Sequence, residues 1–447
     1  MKKTLLFLIT AAGFASPSTL AAPFNSLDAR SMAMGDVGVA SSKPGSAAIF
    51  NPALLSENNY EHRISIIFPN IGVEAFASED GFNAVQNIVD DEYVDQLSDT
   101  VSDYNSASAA GRQAAAAELA NISDNFNKEL DQLSEEPFNI NAGANFAVAI
   151  PNKSLGFSVY SNTQAVIETS PFINECDLKL LDDYSGLADS LAEGTPPPAS
   201  TVSSSCNGNT RVIFENDDFV DPESSFASEV DIAGVSISEL GVALSRQFSI
   251  ANQDISFGIT PKLMTITSYY TRASIEELED SDYEIEDELQ DSEKEESDFN
   301  IDFGLATSFL PAKELTLGFT LKNILSKSYQ TATDSSGERR KFSLKPQARA
   351  GIAWQLPLGV TVASDLDLTK NSALFNDQDT RYLGLGAEWN ALDILRLRAG
   401  LRSNIENNDD QVLTAGIGLN IIAFHLDLAG HFSPNNAGAA LQMGVEF

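Results

Sequence analysis

No stretch of this chain approaches the roughly 20 consecutive apolar residues that a membrane helix needs, which excludes a helical membrane protein. The longest such run, Leu5 to Phe14, is too short to span a bilayer. Cysteine is scarce: Cys176 and Cys206 are the only two, and neither sits in a C-x-x-C, so a thiol-redox role has no support. The three histidines show no metal-ligand spacing, so no metal and no cofactor are expected. Basic residues are also few, 27 against 64 acidic ones, and the net charge of −37 argues against nucleic acid or anionic surfaces as direct partners. No motif nominates a nucleophilic serine, so no catalytic residue and no enzyme activity are expected.

What is present begins with an export signal at residues 1–21. Lys2 and Lys3 form the charged start, Leu5 to Phe14 the apolar core, and Thr19-Leu20-Ala21 a small-x-small cleavage site. In the oxidising compartment this implies, Cys176 and Cys206 are expected to form a disulfide. A long exported chain without membrane helices leaves a soluble periplasmic protein or a membrane barrel.

The hydrophobic pattern favours the barrel. From Phe138 onward, period-two segments alternate with short and long connections, and His62–Phe76 adds one strand before them, for fourteen in all. The faces agree from strand to strand. Phe299, Ile301, Phe303 and Leu305 oppose Asn300, Asp302 and Gly304, while Leu395, Leu397 and Leu401 oppose Arg396, Arg398 and Arg402. Closure removes the unpaired edges that lipid cannot satisfy. The fold class predicted is therefore all-β: a fourteen-stranded antiparallel transmembrane β-barrel over residues 61–447, with both ends on the short-turn, periplasmic side and outer-membrane lipid around it. Proline is expected to interrupt two strands, with Pro69 and Pro261 each shifting the parity.

Three insertions and one leading segment break the pattern. Residues 22–60 are small, apolar and compact, a hatch that would enter the barrel from the periplasmic side. Residues 79–136 take helical spacing, with Val85, Ile88 and Val89 and then Leu119, Ile122, Phe126, Leu130 and Leu133, and Ser106 to Ala117 reads as a joint. Residues 170–228 form a loop holding both cysteines. Residues 275–298 form an acidic loop, with fourteen acidic side chains against one lysine from residue 276 to residue 298.

Two motifs carry a resemblance. A strand that ends the chain on Phe447, with Ala439, Leu441, Met443 and Val445 on the same side, resembles the last strand of bacterial outer-membrane barrels, where it is the signal read by the barrel assembly machinery. The hatch motif A-R-x-M-x-M-G at Ala29–Gly35, followed by A-A-I-F-N-P-A-L-L at Ala47–Leu55, resembles the FadL-like transporters of long-chain fatty acids and hydrocarbons. It resembles still more closely the conjugal-transfer TraF-like barrel family, which shares that hatch and carries a helical insertion soon after it. The resemblance implies passive passage of a hydrophobic ligand across the outer membrane, with Met32, Met34, Phe50, Asn51, Pro52 and Ala53 plugging and gating the route. A non-transporting envelope component linked to conjugation or attachment is the alternative.

Charges on the polar strand faces are expected in the lumen: Asp302, Asp365, Asp367, Glu388, Arg396, Arg398, Arg402, Asp427 and Glu446. Salt bridges that stiffen a plugged barrel account for them most simply. His425, Asp427 and His431 share one face and are the nearest approach to a catalytic grouping.

Overall fold

The computed structural model describes residues 27–57, 63–76, 84, 87–88, 92–133, 138–222, 225–275, 277, 289–290, 292–309, 314–333, 339–372, 379–391, 394–406 and 411–447. The expected export signal and most of the acidic run lie outside the described residues. Among the described residues, fourteen antiparallel strands close into one barrel. They are β1 (Ser65–Phe76), β2 (Phe138–Ile150), β3 (Gly156–Phe172), β4 (Glu229–Ile250), β5 (Gln253–Ser274), β6 (Lys294–Phe309) and β7 (Leu315–Lys322). The circuit continues through β8 (Gln347–Leu356), β9 (Val360–Asp367), β10 (Tyr382–Ala391), β11 (Leu395–Asn404), β12 (Gln411–Ile421), β13 (Phe424–Ser433) and β14 (Asn436–Glu446). Closure is made by β1 on β14, with Ile71 opposite Leu441 and Val73 opposite Ala439.

Alternation sorts the residues as the sequence requires. Leu385, Trp389, Leu397, Leu413, Ile417, Leu428 and Phe432 stand exposed on the outside, while Asn70, Asn145, Thr260, Asp302, Arg398 and Gln442 are buried inside. A broad band of exposed Leu, Ile, Phe and Trp is incompatible with water at this scale and is the surface that lipid covers. Among the described residues no helix is long and apolar enough to cross a membrane.

Strand ends follow from turn chemistry. β4 and β5 are joined by Ala251 and Asn252, both with positive φ (51° and 64°), the two-residue turn whose twist suits a hairpin. At Pro69 the register shifts between Ile67 and Asn70 on both neighbouring strands, so the expected bulge is there. Pro261 behaves otherwise and corrects the expectation. Gly241 faces Lys262 and Leu244 faces Ile259 in one unbroken register, and β5 absorbs the missing N–H without changing parity.

The wall is uneven in height. β4 and β5 have 22 residues each, whereas β7 has 8 and β8 has 10. About ten tilted residues cross a bilayer, so the β3–β6 side projects far beyond it at the long-loop end. Alternation in the sequence predicts strands over Leu315–Ser328 and Phe342–Gln355, and both prove shorter. Lys327–Gln330 and Lys341–Leu344 are not extensions of β7 and β8 but pair with each other as a separate hairpin.

The helical insertion and the cysteine loop, read as separate features, fold together into one cap. Its helices are α4 (Tyr93–Ser106), α5 (Arg112–Leu133) and α6 (Glu175–Ala192), numbered after three short hatch helices, α1 (Ala29–Met32), α2 (Pro44–Phe50) and α3 (Leu54–Glu57). α6 was not legible, because Pro and Ser around it read as loop. Asn174 caps it by accepting from Cys176 N at 2.9 Å. Tyr93, Leu97, Tyr104, Phe126, Tyr184, Phe214 and Phe219 share one buried core, and Tyr93 stacks on Phe126 at 5.4 Å. The joint is shorter than expected, since α5 already begins at Arg112.

Cys176 and Cys206 are bonded and tie α6 to the strand Val202–Cys206 within the cap. The bridge spans a sequence separation of 30 residues, and closing a loop of that size restricts the unfolded chain by roughly 3–4 kcal/mol. The double substitution Cys176→Ser with Cys206→Ser is expected to open the cap to limited proteolysis while the barrel keeps its compact, heat-modifiable mobility on a gel. Cleavage of the cap at the wild-type rate would contradict this.

Candidate functional site

The lumen is the place where the sequence concentrates its polar and small residues, and the hatch fills it. Asp28 starts the packing. Its carboxylate accepts from Ser31 N at 2.9 Å, capping α1, and from Ser46 Oγ at 2.6 Å, tying α1 to α2. Burial pushes the Asp28 carboxyl above its ordinary range despite those donors. Burial works against the charge of Arg30 as well, but the carboxylates of Glu388, Asp28 and Asp427 together hold the guanidinium above its usual value.

Two strings of charge join hatch to wall. In the first, Arg30 Nε donates to Glu388 at 2.9 Å, Arg398 Nε donates to the same carboxylate at 2.8 Å, and Arg398 Nη1 reaches Asp427 at 2.6 Å. In the second, Arg402 bridges Asp36 of the hatch, at 2.6 Å, and Glu74 of β1. Arg349 pairs with Asp367 at 2.5 Å and donates to the Asp36 carbonyl at 3.3 Å. Asp365 accepts from two hatch amides, Gly38 N at 2.7 Å and Val39 N at 2.9 Å. The structure thus brings Arg398, Arg402, Asp365, Asp367 and Asp427 together against the hatch. Arg396 is outside these ion pairs, half-buried beside the Asn420 amide.

The hatch residues named by the motif are all buried. Met32, Met34, Asn51 and Ala53 are fully enclosed, Phe50 nearly so, and Pro52 beside them. Asn51 earns its place with three hydrogen bonds. Its Nδ2 donates to Val39 O at 2.8 Å and Leu305 O at 3.0 Å, and its Oδ1 accepts from Ala53 N at 3.1 Å. His431 and His425 do structural work here. The His431 ring lies 2.8 Å from Asn436 Oδ1 and 3.6 Å from Glu74, and Asp427 is held by Arg398 rather than by a histidine. His425 and Asp427 line, with Asp28, Lys43 and Arg396, a small polar cavity of about 20 Å³ between hatch and wall.

Sequence reading missed the closest contact of all. Inward glycines on successive strands let hatch backbone lie directly on the wall. A Cβ on Gly386 would stand 2.2 Å from Met34 O, one on Gly318 2.2 Å from Val39 O, and one on Gly258 2.4 Å from Ala53 N. Gly384 and Gly400 meet Gly35 in the same way. The signal was available as glycine recurring at inward parity. Asp36, Glu74 and Arg349 were missed too, because one charged residue in a segment without clear period gives no direction.

These contacts generate two expectations. Arg402→Met leaves Asp36 and Glu74 buried without their shared cation and is expected to cost about 3–5 kcal/mol. The measurement is the temperature at which the folded gel band is lost, and an unchanged temperature would contradict the ion pairs. Gly386→Val places a side chain where Met34 backbone lies and is expected to loosen the hatch. Hydrogen exchange at residues 32–39 should rise while exchange in β10 and β11 holds, and unchanged protection of the hatch would refute the close approach.

Comparison with known proteins follows from this architecture. The Ralstonia pickettii toluene transporter TbuX aligns over 95% of this chain and 99% of its own, at 11% identity and a TM-score of 0.49. The P. putida toluene transporter TodX aligns over 94% and 98%, at 11% identity and a TM-score of 0.48. A Pseudomonas aeruginosa FadL homologue aligns over 98% and 99%, at 10% identity and a TM-score of 0.44. No curated protein matched the sequence. Residues 48–367 match the sequence family described as "F plasmid transfer operon, TraF, protein", which takes in the end of the hatch, the cap and the wall through β9. The chain belongs to that family.

Proposed function

We propose that the protein sits in an outer membrane, long loops outward, and lets small hydrophobic, fatty-acid-like molecules pass without catalysis or a cofactor. The observation that carries the reading is the division of the interior. The lower lumen is closed by the hatch, with backbone against backbone at Gly386 and Gly318 and with charges spent on one another. An open aqueous pore for polar solutes is hard to reconcile with that packing. The upper lumen carries an apolar inner wall, with Val166, Val235, Ile237, Met264 and Ile266 buried on the inward faces of β3 to β5. An apolar inner surface within a barrel is the kind of concave site that takes hydrophobic ligands. The role of the hatch residues Met32, Met34 and Phe50 to Ala53 is, on this reading, to gate the way onward.

The cap supports a second reading, an envelope component related to conjugal transfer or surface attachment. It has its own buried aromatic core and its own disulfide, more structure than a pore mouth requires. Fold alone does not choose between them.

The deciding experiment uses vesicles whose outer leaflet is lipopolysaccharide, a barrier to apolar solutes. With the protein inserted, influx of a labelled sixteen-carbon fatty acid is expected to rise several-fold while arabinose influx stays at background. Fatty-acid influx equal to that of empty vesicles would sink the transport reading, as would equally fast arabinose.

A further inference from the structure

The inner apolar wall of β3–β5 is not bare. The hairpin formed by Lys327–Gln330 and Lys341–Leu344, which connects β7 to β8, folds inward across the lumen and lays Tyr329, Phe342 and Leu344 on it. All three side chains are almost fully buried there, at 5%, 4% and 3% exposure. A polar loop of a barrel has no need to bury two aromatic rings and a leucine in the lumen. We propose that this hairpin is a displaceable stopper occupying a binding site for an amphiphile with a hydrocarbon tail, and that ligand and hairpin compete for the same wall. The inference rests on the transport reading for its biological sense but not for its test.

Three features of the hairpin fit exchange rather than permanent sealing. First, the segment leading into it is fixed to β6, where Asn300 bonds Leu325 and Asp302 accepts from Asn323 N, but beyond that anchor and apart from the apolar side chains its hold consists of contacts at the rim. Arg340 pairs with Asp231, Lys327 with Asp298 at 3.0 Å, Tyr329 donates to Asp298 at 3.1 Å, and Lys294 Nζ donates to Gln330 O at 2.7 Å. The lysine and arginine ends of these pairs are about 40% exposed, and ion pairs so placed contribute little in water. Second, the hairpin is joined to short strands and, among the described residues, pairs as a strand only with itself, so it can swing without breaking a rung between barrel strands. Third, what it covers is graded. One inward step toward the hatch, the wall turns from Ile237 and Met264 to Glu239 and Lys262, and Lys262 lies between Glu239 at 2.8 Å and Asp302 at 3.0 Å. Level with Glu239, the neighbouring strands present Asn162 and Asn145, facing one another across the register.

That polar floor carries hydrogen-bonding capacity the protein does not use. Both side-chain atoms of Asn145, Oδ1 of Asn162 and Oγ1 of Thr260 are buried without a partner among the described residues. These residues are 6%, 4% and 0% exposed and lie on inward faces. Buried polar groups are ordinarily satisfied, and one left open marks a place where something else can bond. A tail against the apolar wall with a carboxyl or hydroxyl head on this floor meets both halves. The ligand class is therefore a single-chain amphiphile rather than a bare hydrocarbon or a sugar.

The stopper makes a quantitative demand. Where the binding-competent state is only fractionally populated, apparent affinity falls by that fraction, so weakening the closed state must tighten binding. The probe is palmitic acid bearing a photoreactive diazirine near the tail end, added to the full chain in lipid nanodiscs, with labelled peptides mapped by mass spectrometry. Wild type should be labelled within residues 230–240 and 262–268. Phe342→Ala with Leu344→Ala should reach half-maximal labelling of those peptides at about one-tenth of the wild-type probe concentration. Should that variant fail to fold, Arg340→Gln with Lys327→Gln loosens only the rim and should shift the curve the same way by a smaller factor. Ile237→Ser should weaken labelling in either background. Labelling of these peptides that ignores all the hairpin variants, or labelling confined to the outer surface, overturns the proposal. Displacement of the hairpin without flux across vesicles would leave the site standing and remove transport. Flux with no labelling of the wall would remove the site alone.

Discussion

Everything in this molecule depends on how near the leading segment comes to the inside of the barrel. At Gly258, Gly318, Gly384, Gly386 and Gly400 there is no room for even one carbon between hatch backbone and wall. Glycine in a strand ordinarily weakens it, and its repetition at inward positions is explained by this approach. The charges complete what the glycines allow. Arg398 and Arg402 lie almost wholly out of water, and such a group persists only where a carboxylate and further donors or acceptors meet it. Asp36 from the hatch and Glu74, Glu388 and Asp427 from the wall provide that, so hatch and barrel are electrostatically incomplete without each other.

Above this seal the barrel becomes a different object. β4 and β5 rise well past the height that lipid requires, and their upper inward faces turn apolar. That extra height provides the surface on which the β7–β8 hairpin rests and places the cap beside the mouth. The interior is therefore two-tiered, with a polar, tightly packed lower tier and an apolar, loosely latched upper one. On the proposed transport reading, a hydrophobic solute meets the upper tier first, and the lower tier decides whether it goes further.

The barrel was legible because its rule is simple. Period-two alternation names the outward face wherever Leu, Ile and Phe recur, and β2 begins at Phe138, where the alternation sets in. Pro69 and Pro261 look alike in sequence yet only the first inserts a bulge, since the sequence does not say whether a neighbouring strand needs the missing N–H. Phe342 continued the alternation of β8 and so read as wall, and Tyr329 read as part of a polar loop, although both pack inside the barrel. Local pattern fixes which side of a strand is greasy but not whether the chain has turned back on itself. In the hatch, the motif pointed to Phe50–Ala53, whereas Asp36 was invisible because its partner is 366 residues away. The helical insertion was readable and the cysteine segment was read only as a disulfide-tied loop, and the core they share is a long-range fact.

The central claim is that the barrel is closed by its own leading segment. Single-channel recording in a planar bilayer tests it most directly. The account predicts no steady ion conductance above the bare bilayer when the wild-type protein inserts. Stable open steps of porin size, in protein whose folded state is verified on the same preparation, would contradict it.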